Sequence, residues 1–172
     1  MTEPAARIAR ARVPLGFAAG AAALYLAHPT PASLAGGLAL AAVGESIRVW
    51  AAGHLEKGRE VTSSGPYRFT GHPLYLGSTI LGIGFAVASR SLAVAAIAAI
   101  YLGVTLGAAI RSEEAGLRAR FGDAYADYRA GRSQGASRRF CLARARRNRE
   151  HRAVAGLGVV MFFLALKGWL RL

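Results

Sequence analysis

Residues 64–77 concentrate side chains that can bind or orient a polar ligand. They read Ser-Gly-Pro-Tyr-Arg-Phe-Thr-Gly-His-Pro-Leu-Tyr-Leu-Gly and include Tyr67, Arg68, His72 and Tyr75. Phenol, guanidinium and imidazole groups together supply hydrogen-bond donors and acceptors. The sequence shows no Ser-His-Asp triad and no cluster of metal ligands beside them. It therefore offers a polar site with no sign of a metal centre or of a nucleophilic triad.

Two prolines shape this stretch. Pro66 lacks an N–H and biases Gly65 towards extended geometry, so a turn is expected there. Pro73 suits the first position of a helix, where a missing N–H costs nothing. The prediction is a tight loop that carries its polar side chains to the start of a helix near Pro73.

The composition is that of a membrane protein. Hydrophobic residues make up 53% of the 172 residues, yet the net charge is +13, from 22 basic and 9 acidic side chains. This combination is unusual for a soluble domain but common in membrane proteins with basic loops. The one cysteine, Cys141, allows neither an intramolecular disulfide nor a cysteine-based metal site.

The apolar runs predict an all-α integral membrane fold with about five transmembrane helices. A bilayer span needs about 20 apolar residues, so the shorter runs depend on their flanks. The third and fourth runs are separated by Ser-Arg-Ser and form a predicted helical hairpin. The five runs are residues 13–28, 32–52, 74–88, 92–110 and 153–170.

Small and charged residues inside these runs have a predicted packing role. Gly16 with Gly20, and Gly103 with Gly107, have the spacing of close helix contacts in lipid. Glu45 and Arg48 share a helix face, and at this depth they are expected to pair in the protein interior. The sequence leaves open whether that pair belongs to the polar site or only joins helices.

The fourth helix is predicted to continue beyond its apolar part. An amphipathic stripe at steps of four, four and three begins after the apolar run. It consists of Leu117, Phe121, Tyr125 and Tyr128. Counting back four residues from Leu117 places Glu113 on the buried face, while Glu114 pairs with Arg118 in solvent. Glu113 is therefore the predicted functional glutamate.

A basic segment follows at residues 129–152. It holds nine arginines and one acidic residue, Glu150. We expect a solvated segment that is attracted to anionic lipids. Nucleic-acid binding is not favoured, because no aromatic residues are interleaved with the arginines. Counting positive charges places the N-terminus and both polar segments in the cytoplasm and the C-terminus outside. The Arg-, Ala- and Gly-rich composition points to a bacterial inner membrane.

The two polar segments together resemble the isoprenylcysteine carboxyl methyltransferase and phospholipid methyltransferase family of membrane enzymes. The first carries Gly-Pro-Tyr-Arg followed by His-Pro-x-Tyr-x-Gly, at residues 65–77. The second, at residues 113–128, reads Glu-Glu-x-x-Leu-x-x-x-Phe-Gly-x-x-Tyr-x-x-Tyr. The resemblance covers about residues 40–130 of one predicted domain, 1–172, leaving the basic segment and the last helix as additions.

The resemblance implies methyl transfer from S-adenosylmethionine, with S-adenosylhomocysteine as product, to a lipid-like acceptor that arrives from the bilayer. It implies a cytoplasmic cofactor site. The implied cofactor-binding residues are Arg59, Glu60, Val61, Thr62, Tyr67, His72, Pro73, Leu74, Tyr75 and Glu113. A carboxylate acceptor calls for an arginine, because the guanidinium matches both oxygens. Arg68 and Arg111 are the candidates for positioning it.

Departures from the family pattern concern the acceptor. Many members have arginine before His-Pro, where this chain has Gly71, and the eukaryotic enzymes have histidine where this chain has Arg59. They also have an arginine at the position of Ala109. Methylation of a carboxylate oxygen is the leading hypothesis, and amine N-methylation of a phospholipid is an alternative. A steroid-type membrane reductase and a non-enzymatic scaffold with a lipid-binding basic segment also stay open, as does the oligomeric state.

Overall fold

A computed structural model describes residues 16–132 and 138–170 of the chain. The predictions for the basic N-terminus and for residues 133–137 of the basic segment therefore lie outside the described residues. Within them the fold is all helical, which confirms the predicted class. The helices are α1 Gly16–Leu26, α2 Pro31–His54, α3 Pro73–Ser89, α4 Leu92–Arg129, α5 Leu142–Arg147 and α6 Glu150–Leu170, with a 3₁₀ helix at Gly65–Arg68.

Each of the five predicted apolar runs corresponds to a helix. Three of them, α2, α4 and α6, are long and apolar enough to cross a membrane, whereas α1 and α3 are shorter. The last helix begins at Glu150, three residues before the predicted start. The short α5, in the basic segment, was not predicted.

The helices α2 and α3 approach each other closely through glycines. A Cβ atom on Gly44 would lie 2.6 Å from the Gly77 carbonyl oxygen, and one on Gly37 would lie 2.5 Å from the Gly84 oxygen. These glycines let the two backbones touch, as small residues do in membrane bundles. The contact includes Gly84, which belongs to the Gly-Ile-Gly string at residues 82–84 of α3. This string therefore has a packing role.

The predicted glycine pairs in α1 and α4 do not bring two helix backbones together in this way, although a Cβ on Gly16 would lie 2.9 Å from the Tyr101 hydroxyl of α4. A Cβ on Gly20, Gly103 or Gly107 would meet no other atom within 4 Å in the described residues. Spacing alone did not distinguish these positions from the contacts in α2 and α3, because the same small-residue pattern occurs on surfaces that no neighbouring helix covers.

Arg48 joins three helices in the bundle interior. Its guanidinium lies 2.6 Å from Glu150 Oε1 of α6 and 3.4 Å from Glu45 Oε2 of α2, and it donates to Ser78 Oγ of α3. Both glutamates are buried. Arg48 therefore balances two carboxylates, and the geometry favours the helix-joining role over a role in the polar site.

Helix α4 is much longer than a bilayer span. Its 38 residues correspond to about 57 Å, against about 30 Å for the hydrocarbon core. This confirms that the fourth helix continues through the Glu-Glu segment. Near its end, Gly122 has φ 45° and ψ −116°, and the helix is interrupted there. The positive φ suits glycine, and the last turns take a new direction.

Replacing Arg48 with methionine tests the three-helix junction. The change leaves Glu45 and Glu150 buried without their cation, so we expect the free energy of unfolding to fall by about 3 kcal/mol. Chemical unfolding in detergent micelles measures this. The double variant Arg48→Met/Glu150→Gln should recover part of the loss, because it removes one stranded charge. Equal stability of Arg48→Met and the native chain would contradict the assignment.

Candidate functional site

The first polar segment folds as a 3₁₀ turn against the end of α2. Gly65 has φ 59°, and a Cβ there would lie 2.6 Å from the His54 ring. The Phe69 N–H donates to the Pro66 carbonyl and closes the turn at 3.1 Å. The predicted turn is confirmed, but the extended geometry predicted for Gly65 is wrong, because only a left-handed glycine fits against His54.

Tyr67 is fixed between this turn and the extension of α4. It is 8% exposed, and Tyr128 Oη donates to its carbonyl oxygen at 2.8 Å. Burial raises the pKa of the Tyr67 phenol, and the negative charge of Glu113 adds to the rise. The phenol therefore stays protonated and can donate a hydrogen bond, with the Glu113 carboxylate in its electrostatic neighbourhood.

His72 precedes α3 and faces α4. Its Nε2 lies 3.2 Å from Glu114 Oε1, and its ring centroid lies 5.6 Å from that of Tyr75. Glu114 also pairs with Arg118 at 3.6 Å and with Arg129 at 3.5 Å. One carboxylate of α4 therefore orients the imidazole and gathers two guanidinium groups beside it.

The prediction that Glu113 lies on the buried face of α4 is wrong. Glu113 is exposed, whereas Glu114 is partly buried. Glu114 does pair with Arg118 as predicted, but it is not simply solvated. A helix has 3.6 residues per turn, so counting back from Leu117 by three is as valid as counting by four. The loop around His72 packs on the Glu114 side, which the sequence did not reveal.

An apolar groove leads away from this polar end between α3 and α4. It has a volume of about 1050 Å³. Thr70 and His72 line one end, Arg90 and Ser91 line the other, and apolar side chains of both helices line the length between. Tyr75 lies on its wall near His72. The groove thus joins a polar mouth to an apolar channel as long as α3.

The residues before the turn form a loop held by the basic segment. The Glu56 N–H donates to Thr62 Oγ1 at 3.2 Å, and Thr62 is buried. Arg138 Nη2 donates to both carboxylate oxygens of Glu60 at 2.8 Å. Arg144 Nε donates to Glu56 Oε1 at 2.7 Å, and this hydrogen bond is the main reason that the pKa of Glu56 is lowered.

The basic segment is therefore not uniformly solvated, and that prediction needs correction. Arg138 and Arg144 are partly buried against acidic side chains, whereas Arg139, Arg146 and Arg149 are exposed. A charge run indicates solvent exposure only when no partner is near, and the partners here are more than 75 residues away in the sequence. We call residues 138–148 the brace.

The structure brings together only some of the predicted site residues. Tyr67, His72 and Tyr75 gather where the turn meets α4, with the charge of Glu113 close enough to act on Tyr67. Pro73 is buried as the first residue of α3, and Leu74 is partly buried beside it. In the loop, Thr62 is buried, Glu60 and Val61 are partly buried and Arg59 is exposed. Arg68 and Arg111 are exposed.

Sequence reasoning missed three groups that organise the site. Glu114 and Arg129 were not assigned to it, and neither was the Tyr128 hydroxyl. Tyr128 had a signal, since it ends the amphipathic stripe. Glu114 had a weaker one, since it lies four residues after Ile110 and three before Leu117. Nothing in the sequence indicated Arg129, because its ion pair with Glu114 depends on the bend at Gly122.

Comparisons with known proteins agree with the architecture. Residues 32–124 match the family described as "Phospholipid methyltransferase". The "Cobalt-zinc-cadmium resistance protein CzcN" of Cupriavidus metallidurans is 34% identical over 94 residues, which cover 54% of this chain and 42% of that protein. The matched region thus spans less than half of that relative. No solved structure matches the chain.

Replacing Tyr128 with phenylalanine tests the contact between α4 and the turn. The change removes the donor to the Tyr67 carbonyl, so the free energy of unfolding should fall by about 1 kcal/mol. Tyr125→Phe is the matched control, because the Tyr125 hydroxyl makes no hydrogen bond with the described residues. Chemical unfolding of both variants in the same detergent gives the comparison. Equal losses would show that the hydroxyl of Tyr128 is not a tether.

Proposed function

The chain belongs to the phospholipid methyltransferase family, and on that premise we propose that it transfers a methyl group from S-adenosylmethionine to a lipid-like acceptor. The single observation that carries the proposal beyond the family is the polar cluster at the mouth of the apolar groove. A polar donor has to enter from water, whereas an apolar acceptor has to enter from the bilayer. The polar cluster provides the first route and the groove provides the second. The family favours this function over a reductase or a scaffold.

The donor is proposed to bind between the loop at 59–62, the turn and the extension of α4. Tyr67 and Tyr75 offer aromatic surface and hydroxyl groups, and Glu113 is an exposed carboxylate whose charge contributes to the raised pKa of Tyr67. A carboxylate suits the ammonium or ribose hydroxyls of the methyl donor, since charged hydrogen bonds are the stronger kind. Glu60 is less available, because Arg138 engages both of its oxygens.

The acceptor chain is proposed to lie in the groove between α3 and α4, with its reactive end near His72. The sulfonium donor supplies an already activated methyl group, so the protein contributes alignment and exclusion of water. The apolar walls exclude water along the chain. Thr70 and His72 at the mouth define where the polar end of an amphiphile stops. In this proposal the mouth faces the cytoplasm of a bacterium.

Methylation of a carboxylate is the first candidate for the acceptor chemistry. Arg68 and Arg111 make no ion pair with any described acidic residue, so their guanidinium groups are available to hold a carboxylate. A second candidate is N-methylation, which one observation favours. His72 next to Glu114 is an oriented imidazole at the groove mouth, and an amine acceptor needs a base to take its proton.

The role of Glu113 is tested by binding of S-adenosylhomocysteine to the detergent-purified protein, measured by calorimetry. Glu113→Gln should weaken binding about tenfold, as expected for losing one charged hydrogen bond, with an unchanged melting temperature because Glu113 is exposed. Glu114→Gln is the contrast. It should lower the melting temperature, because His72, Arg118 and Arg129 lose their shared partner. Native affinity in Glu113→Gln would remove this residue from the donor site.

The acceptor class is tested with methyl-labelled S-adenosylmethionine and three sets of candidates: isoprenoid thioether acids, fatty acids and aminophospholipids. A labelled carboxyl ester releases methanol in alkali, whereas an N-methyl group does not. Alkali-labile product from the native protein, lost in Arg68→Gln or Arg111→Gln, is the expected result. Alkali-stable product that depends on His72 would instead establish N-methylation. Absence of both S-adenosylhomocysteine binding and labelled product would overturn the proposed function.

A further inference from the structure

The brace lies outside the region that matches the family but contacts the part of the chain that leads into the site. The family match ends at residue 124, and the brace begins at Arg138. Its contacts fall on two targets, which are the end of α2 and the loop that follows. Each target lies immediately before the Gly-Pro-Tyr-Arg turn.

The first target is the C-terminal end of α2, whose last carbonyl groups lack partners within the helix. Asn148 Nδ2 donates to the carbonyls of Ala52 and Leu55 at 2.8 and 2.9 Å. The Gly53 carbonyl accepts from Arg144 Nη1 at 2.6 Å and from the Cys141 N–H at 3.1 Å. The brace therefore acts as a cap, with Arg144 lying 91 residues downstream of the Gly53 carbonyl that it binds.

The second target is Glu56, which three arginines surround. Besides Arg144, the Arg147 Nη2 atom lies 3.1 and 3.2 Å from its two oxygens, and Arg138 Nη1 lies 3.6 Å away. Glu56 is only 9% exposed. A carboxylate this buried requires its cations, because an unpaired charge in such a place is costly.

Glu56 connects the brace to the site loop. Its N–H donates a hydrogen bond to Thr62 Oγ1, and this hydrogen bond closes the loop of residues 56–62. Arg138, already near Glu56, also holds Glu60 of the same loop. A Cβ on Gly58 would lie 3.4 Å from the Arg120 side chain of α4. The hydrogen bonds and ion pairs that hold the loop come from the brace.

We propose that Glu56 is a positioning residue through which the brace sets the conformation of residues 56–62, and with it the affinity for the methyl donor. The inference rests on the proposed function and assigns a role to the segment after the family region. Glu56 does not touch the donor in this proposal. It acts through the loop that carries the predicted donor-binding residues 59–62.

Two matched variants of α5 test the brace. Arg144→Gln removes a cation from Glu56, whereas Arg146→Gln removes the same charge two residues away at an exposed position. S-adenosylhomocysteine should bind about tenfold more weakly to Arg144→Gln, and Arg146→Gln should bind like the native protein. Glu56→Gln should match Arg144→Gln, and Glu56→Asp should recover part of the affinity. In the double variant Glu56→Gln/Arg144→Gln the losses should not add.

Amide hydrogen exchange of residues 56–62, measured without ligand, separates failure of this inference from failure of the proposed function. Faster exchange in Arg144→Gln than in Arg146→Gln, with the native helices still protected, supports the brace even if no variant binds S-adenosylhomocysteine. Equal exchange in the two variants overturns the brace. Faster exchange with unchanged S-adenosylhomocysteine affinity overturns the positioning role of Glu56 and leaves the proposed function standing.

Discussion

The backbone contact between α2 and α3 is the constraint on which the rest of the structure depends. At Gly77 the α3 backbone meets both the Gly44 carbonyl and the aliphatic stem of Arg48. A larger residue at either glycine would separate the helices and displace the arginine that balances Glu45 and Glu150. Glu150 is the first residue of α6, so the same approach also bears on one of the contacts by which α6 joins the bundle.

Gly77 is also the final residue of the polar segment that resembles the methyltransferases. Its position in the structure explains the glycine by helix packing, without any ligand contact. The same segment therefore contains two kinds of residue. His72 and Tyr75 line the groove near its mouth and Tyr67 is buried in the turn, while Pro73 and Gly77 anchor the segment to the bundle. A motif of this type therefore fixes where its polar side chains lie, and it also supplies their chemical groups.

The helices and the turn before α3 were predictable from the sequence, because apolar runs and proline positions act locally. The start of α3 at Pro73 and the long continuation of α4 were confirmed. Which of Glu113 and Glu114 is the more buried was not predictable, since both lie within one turn of the stripe and only the packing of the loop distinguishes them. The role of the brace was also hidden, because its arginines find Glu56 and Glu60 through folding across a long separation.

The division between polar site and groove follows from the different lengths of the helices. Helix α3 begins at the mouth of the groove, whereas α4 continues past that mouth and supplies Glu113, Glu114 and Tyr128 to the polar end. The overhang of one helix past its neighbour therefore creates the polar wall. The loop at 56–62 precedes the turn, and the brace holds it through Glu56 and Glu60.

Gly122 determines the direction of the part of α4 that extends past α3. A Cβ on Gly122 would meet no described atom beyond its own stretch of chain within 4 Å, so the backbone angles, and not a lack of space, require the glycine. A residue with a side chain at this position would favour one of two conformations. Either the helix would continue without a bend into solvent, or it would keep a strained bend that brings Tyr128 back to the turn. The approach of Tyr128 to the turn, and with it this wall of the site, therefore depends on the backbone angles of Gly122.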